Sequence, residues 1–243
     1  MEWHDDAVIL GVRRQGESHV LLEVLTRDHG RHLGLVRGGR SARMQPLLQP
    51  GNSVTVDWRA RLEDHLGAFR IEATRLRAGR LMQSPAALYG IGLVGALARL
   101  LPERDPHPAL YETLEVVADA LDDPALAAPL VVRFELAILA ELGFGLSLDA
   151  CAATGGNDGL AYVSPRTGRA ISASAGAAWS DRLLPLPAFL AGGAGTPLQG
   201  LPGTEDLAQA FRLTGHFLMR HVLEPRGIPV PDVRAAFITA VTA

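Results

Sequence analysis

Five short apolar segments crowd into roughly the first 75 residues, and their spacing limits the fold more than any other feature of the chain. Residues 7–13 (AVILGVR), 20–26 (VLLEVLT) and 31–36 (RHLGLV) are apolar, carry β-branched side chains and end at polar breaks. Residues 53–60 (SVTVDWRA) and 66–74 (LGAFRIEAT) alternate apolar and polar positions. A period of two turns one face of a strand toward a core, and short strands at this density close into a small barrel. Gly16 in the link RQGESH and the run Asp28-His29-Gly30 supply the turn residues between the first three. The pattern predicts a five-stranded Greek-key barrel of the OB type. An SH3-like barrel has as many strands, and strand count does not separate the two.

Beyond residue 80 the periodicity becomes helical. Ser84-Pro85 reads as an N-cap with proline in the first turn, followed by Leu88, Ile91, Leu97 and Leu101 at helical spacing. Prolines from Pro102 to Pro108 break this helix; further helices are expected at about 109–122 and 126–142, the latter stopped by Gly143. Residues 147–180 are rich in Gly, Ser, Ala and Asp without a helical period, and are expected to form a compact irregular insert with a short hairpin near Ala161-Tyr162-Val163. A short helix at Pro185–Leu190, an amphipathic helix over 205–223 and a closing segment at 232–241 complete the prediction. The fold class is α+β: a barrel domain at 1–80, then a mostly helical domain at 81–243 that carries the insert.

The net charge of −3 hides an asymmetry. Residues 1–80 hold 13 Arg against 10 Asp and Glu, whereas residues 81–243 hold 10 Arg against 16 acids. There is no lysine, so all 23 basic groups are arginine, the side chain better suited to planar contact with phosphate. No apolar run approaches the roughly 20 residues of a membrane span. The N-terminus is acidic and lacks the apolar segment of a secretory signal, so a cytoplasmic protein is expected.

The stretch Val36–Met44, VRGGRSARM, packs arginines and glycines between two strands. Arg37, Arg40 and Arg43 are spaced by three, and Gly38 and Gly39 allow close backbone approach to a ligand. Arg13, Arg14, Arg59, Arg61 and Arg70 fall on adjacent strands or their ends. A barrel with a basic face suits a sugar-phosphate backbone, which makes these residues candidate DNA contacts. The competing arrangement is a solvated loop neutralised by acids such as Glu63 and Asp64. Aromatic interleaving is thin, with Trp58, Phe69 and Trp3, so backbone contact is favoured over base stacking.

Signs of catalysis are missing. There is no G-x-S-x-G, no H-E-x-x-H and no lysine to complete a phosphate-binding loop, and Gly143-Phe144-Gly145 reads as a helix cap; no enzymatic activity is expected. His216 and His221 lie five apart, a poor spacing for sharing a metal on one helix face, and His29 and His32 flank a turn. In the insert, Cys151-Ala152-Ala153-Thr154-Gly155 has the outline of a C-x-x-C-G knuckle with its second cysteine replaced, and Ser164-Pro165-Arg166-Thr167-Gly168 leads to Ser172. One thiolate does not make a four-ligand zinc site, so neither metal nor cofactor is expected and Cys151 reads as a small buried residue.

These stretches together resemble the bacterial RecO family of DNA repair and recombination mediators along nearly the whole chain. Val36-Arg37-Gly38-Gly39 and Leu48-Gln49-Pro50-Gly51-Asn52 match its barrel segments; Arg133-Phe134-Glu135-Leu136 running into Leu142-Gly143-Phe144 matches a helix; Leu148-Asp149-x-Cys151 and Ser164-Pro165-x-x-Gly168 match the insert. The resemblance implies an OB-fold domain and a helical domain, binding of single- and double-stranded DNA, and annealing of complementary strands. It also implies a complex with RecR, contact with the acidic, hydrophobic C-terminal tail of single-strand DNA-binding protein, and help in loading the RecA recombinase, with association to the nucleoid. Some members hold zinc with four cysteines in the insert; Thr154 and Ser172 stand at those positions here, so zinc is not carried over. The same match makes Arg133, with Phe134 and Leu136 as an apolar wall, the candidate site for the partner's tail carboxylate. The competing reading pairs Arg133 with Glu135 or an acid on another helix. The acidic helical part is expected to face proteins, not DNA. Two other functions stay open: a protein-interaction scaffold without a DNA role, and an RNA-binding factor, since nothing in the sequence reads or rejects a 2′-hydroxyl.

Overall fold

The computed structural model describes residues 1–193 and 200–242, which pack as two compact units, Met1–Asp122 and Asp123–Ala243. In the first unit, β1 (Glu2–Gln15), β2 (His19–Thr26), β3 (Arg31–Val36), β4 (Ser53–Arg59) and β5 (Ala68–Arg75) form a closed barrel in the order β1-β2-β3-β5-β4. The long first strand serves two neighbours. Its N-terminal half pairs with β4, from Glu2↔Arg59 to Val8↔Ser53, and its C-terminal half pairs with β2 down to Gln15↔His19. A bulge between Ile9 and Gly11 gives the bend this requires. The parallel bridge Leu35↔Ala68 joins β3 to β5 and closes the barrel. This is the OB topology, so the SH3-like alternative falls away. The inward positions Ile9, Val20, Leu22, Val24, Val54, Val56, Trp58 and Phe69 make the core.

Two buried polar hubs fix helices to this barrel. Glu23 interrupts the apolar run of β2 and is only 6% exposed. It accepts from Arg31 Nη1 at 2.8 Å and from Arg99 Nε at 2.7 Å, so its charge is paired inside. Arg99 lies at the end of α2 (Pro85–Ala98), and Gly11 is required beside it because a Cβ there would overlap its guanidinium. The second hub is Arg77, just before α1 (Ala78–Leu81) and 1% exposed. Its guanidinium donates to Glu115 (2.7 Å) and Asp119 (2.6 Å) of α3 (Pro108–Ala120), to the Gly51 carbonyl (3.0 Å) and to the Ser53 hydroxyl (2.5 Å). Asn52, fully buried, accepts the backbone N–H groups of Arg77 and Ala78 and donates to the carbonyls of Pro46 and Leu47. The Leu48–Asn52 motif is thereby the joint between barrel and helices, and the first unit extends through α3.

In the second unit, α4 (Pro124–Glu141) begins at an Asp123 cap and gives way to Gly143 in the left-handed region (φ 84°). The insert is more regular than its composition suggests. β6 (Leu160–Val163), β7 (Ala170–Ser172) and β8 (Leu184–Pro185) form a sheet in the order β7-β6-β8, with α5 (Ala173–Gly176) following β7. The helix expected at 185–190 is instead the end of β8 and a single 3₁₀ turn at Ala188–Leu190. α6 (Thr204–Leu218) continues as a π turn over Met219–Leu223, and α7 (Asp232–Thr242) closes the chain. Glu135, wholly buried on α4, accepts from Arg234 Nε of α7 at 2.7 Å and from the Thr214 hydroxyl of α6, tying the three helices together. Among the described residues no helix is long and apolar enough to cross a membrane.

Candidate nucleic-acid interface

The register of β1, β4 and β5 builds the outer face of the barrel in rows. Glu2 lies beside Arg59, and His4 beside Asp57, which in turn pairs across to Arg70. Here a groove of about 1120 Å³ opens, with Trp3, Met44, Ala60 and Ile71 in its apolar lining and Arg37, Arg59, Arg61 and Arg70 among its charged groups. Its two acids already have partners: Glu2 accepts from Arg59 Nε at 2.9 Å, and Asp57 bonds His4 Nδ1 at 2.8 Å. That hydrogen bond, donated by His4 to the Asp57 carboxylate, holds the imidazole above the ordinary histidine range. Arg37, Arg61 and Arg70 are exposed and have no carboxylate within ion-pair distance among the described residues.

The arginines singled out in the sequence divide accordingly. Arg37, Arg61 and Arg70 come together in the groove; Arg59 joins them but is neutralised by Glu2. Arg40 is held against the β1–β2 turn, where its Nη1 donates to the carbonyls of Gly16 and Glu17, which orient the side chain but leave its charge uncompensated. Arg43 is exposed on the loop outside the groove lining, and Arg13 and Arg14 are exposed at the far end of β1, opposite Leu21 and Val20. Gly38 takes a left-handed turn conformation (φ 67°), while Gly39 is buried because a Cβ would press on Val20 and Leu48. Gly39 is therefore a packing residue, not an opening for a ligand. Among the described residues, the carboxylates of Glu63 and Asp64 form no ion pair with the loop arginines, while their backbone carbonyls accept from Arg104.

The aromatic groups are turned toward one another. Trp58, Phe69 and His32 are buried, and Trp3 stacks with His29 (4.1 Å between centroids) and with Trp58 (5.5 Å). Both contacts are stacked, so the rings of this part of the barrel are engaged with one another. His32, expected at a turn, is a core residue whose burial holds its imidazole below the ordinary range. Asp5, also buried, accepts the N–H groups of Asp28 and His29 and bonds the His29 ring, which sets the β2–β3 turn.

In the second unit, Arg133 is not paired with Glu135, which Arg234 and Thr214 occupy. Its Nη2 donates to the Phe189 carbonyl at 3.2 Å, its Nε is buried without a partner, and burial lowers its pKa. Phe134 and Leu136 do not form the expected wall for a partner: Phe134 is 0% exposed and Leu136 is 7% exposed, both in the core.

Comparison with known proteins agrees with this architecture. A family model described as recombination protein O N terminal matches residues 1–77, and one described as recombination protein O C terminal matches residues 82–227. The chain belongs to the RecO family. It is 59% identical to the DNA repair protein RecO of Chelativorans sp. (strain BNC1) over 99% of this chain and 96% of that protein. It is likewise 59% identical to the DNA repair protein RecO of Rhizobium rhizogenes over 99% and 91%, and to that of Rhodopseudomonas palustris (strain TIE-1) over 100% and 96%.

The insert of this RecO-family chain does not fit zinc. Cys151 Sγ accepts the Ser172 N–H at 3.3 Å and lies 3.5 Å from the Ser172 hydroxyl. A hydrogen bond from Thr154 and those from Ser172 hold the thiol well below its usual range, at about 6. The knuckle also closes on itself through Gly155 N–H to Cys151 O and Cys151 N–H to Gly156 O. One sulfur and two hydroxyls are a poor donor set for structural zinc, and hydrogen bonds hold the turn in its place. His216 and His221 are apart in role too: His216 bonds the Pro165 carbonyl, and His221 stacks between Phe144 and Phe217.

Proposed function

We propose that this protein binds the sugar-phosphate backbone of DNA in the barrel groove and acts as a recombination mediator in DNA repair. The observation that carries this is the set of three unneutralised guanidiniums, Arg37, Arg61 and Arg70, around a groove whose own acids are already paired. Guanidinium groups bind phosphate oxygens in a planar, bidentate manner, and release of counterions supplies the affinity. With its aromatic rings packed against one another, the groove suits phosphates more than bases, and so both single and double strands. Reducing the repulsion between two strands lets complementary sequences pair. No bond is made or broken, and the protein is not an enzyme on this reading.

Membership of the family supports the finer roles: annealing, cooperation with RecR, and help in loading RecA on DNA coated with single-strand DNA-binding protein. Arg133 fits the tail of that protein in one respect, since its half-buried charge has only a carbonyl and a free Nε to satisfy. The carboxylate would come to Arg133 without the help of Phe134 or Leu136.

The test is replacement of Arg37, Arg61 and Arg70 together by Ala. Single-strand affinity should fall, and its salt dependence should become shallower by about 2 on a log–log plot, from three lost phosphate contacts. Annealing of coated complementary oligonucleotides should be lost with it. An unchanged salt slope would remove the groove from the mechanism. Intact partner binding with no DNA binding by the native chain would favour the scaffold, and a clear preference for RNA of the same sequence would favour the RNA-binding reading.

A further inference from the structure

We propose that the helical unit carries a phosphate-binding surface of its own, which takes the backbone of a nucleic-acid strand independently of the barrel groove. The turn between β6 and β7 presents Arg166 and Arg169, both exposed. It is closed by Ser164 N–H to Arg169 O (3.0 Å) and Gly168 N–H to Ser164 O (2.9 Å). The carbonyl of Pro165 in that turn accepts two side chains of the helix below it, His216 Nε2 and Arg220 Nη1, each at 3.1 Å. A carbonyl only accepts, so His216 bears its proton on Nε2. Arg212, exposed, precedes His216 by four residues on α6, about 6 Å along the axis and on the same face. Four arginines and a histidine thus adjoin one turn.

None of these four arginines has a carboxylate within ion-pair distance among the described residues. This is unexpected in a unit where acids outnumber arginines, 10 to 8 over residues 123–243. Elsewhere in the unit arginine has a local use: Arg234 pairs with Glu135, and Arg182 lies over the Trp179 ring. Like charges left together raise the local potential and attract an external polyanion. The surroundings favour phosphate over an acidic peptide. Ser164 and Thr167 add hydroxyl donors, and the large exposed apolar side chains of this unit (Trp179, Leu201, Ile228 and Val230) all lie outside the turn and the helix face, so a peptide's apolar residues have no anchor. A chain with two such surfaces holds two strands at once.

The test uses the full chain with Arg166, Arg169 and Arg220 changed together to Gln, which retains a donor for Pro165 and removes the charge. Binding of labelled oligo(dT) is followed against salt, alone and in the Arg37, Arg61, Arg70→Ala background, and strands per chain are counted at low salt by sedimentation with two dyes. The native chain should hold both dyes and the Gln variant one. In the Ala background, the Gln changes should abolish the residual binding, with a loss of about 2 in salt slope. Two strands on the Gln variant, or residual binding in the Ala background that ignores the Gln changes, would overturn the proposal. So would loss of poly-glutamate binding with strand binding intact. An Ala triple that still holds both dyes, and holds one once the Gln changes are added, bears on the groove reading alone.

Discussion

Arg77 and the groove arginines lie in the same barrel unit and are used in opposite ways. Arg77 is 1% exposed and is surrounded by Glu115, Asp119, Ser53 and a carbonyl, so every donor direction is taken up inside. Arg37, Arg61 and Arg70 stand in solvent with no internal acceptor. The same side chain is a joint in one place and an unpaired charge in the other. The difference lies in the acids: α3 delivers two carboxylates to Arg77, while the groove's Glu2 and Asp57 are taken by Arg59 and His4. Stability and binding should therefore respond to different arginines.

The sharpest break of this comparison is Arg77→Met. It leaves Glu115 and Asp119, both partly exposed, without their shared cation and the Gly51 carbonyl and Ser53 hydroxyl without their donor, and loss of such partners costs about 1–3 kcal/mol. Urea unfolding should show that loss, while the salt dependence of DNA binding in the protein that remains folded should not change. The Arg37, Arg61, Arg70→Ala triple should do the reverse, with stability altered by no more than about 0.5 kcal/mol per site and DNA binding weakened with a shallower salt dependence. If the triple destabilised the barrel as much as Arg77→Met, the groove arginines would be structural after all.

A smaller effect concerns a neighbour buried near the groove. His32 packs edge-on against Trp3 and Trp58, and burial holds its pKa below the ordinary value. The unfolded chain takes up a proton near pH 6.5 that the folded barrel resists. Stability is thus at its full level above about pH 6.5 and declines as pH falls through and below that value. Thermal melts from pH 8 to 5 should show the decline in the native chain and a flatter profile in His32→Phe, which retains a ring and removes the titration. Parallel profiles would mean that His32 stays neutral in both states or that its burial is relieved on protonation.

The local pattern of the sequence carried much of this. Apolar β-branched runs located the first three strands and alternation the last two, and Ser84-Pro85 located the start of α2. Barrel type was not legible, because it depends on β1 pairing with both β2 and β4 and on a single parallel bridge between β3 and β5. The arginine-glycine loop was visible as a basic feature, but which charges remain free was not. Arg59 is neutralised by a residue 57 positions away, and Arg40 is oriented by carbonyls more than 20 positions away. Glu135 beside Arg133 looked like a partner, yet its cation is Arg234, 99 positions on. Charge type is written locally; charge pairing is a property of the fold.

The smallest expected effect tests that pairing directly. His4 and Asp57 are exposed neighbours at the groove, and Asp57 also lies across from Arg70. The hydrogen bond that His4 donates to Asp57 raises its pKa, so the imidazolium persists above the ordinary range. While His4 is charged, Asp57 is compensated from the β1 side and Arg70 is left for phosphate. As pH rises through the folded pKa of His4, that compensation disappears, and Asp57 both draws on Arg70 and repels the strand. Oligonucleotide affinity should accordingly fall as pH is raised from about 6 to 8, by roughly two- to fivefold, the scale of one exposed charge contact. His4→Gln retains a hydrogen bond to Asp57 without the charge and should bind at the weaker, high-pH level throughout. Asp57→Asn should bind at the stronger level or above it, with the pH dependence gone. If His4→Gln kept the native pH profile, the groove's acids would not govern how many of its arginines are available to DNA.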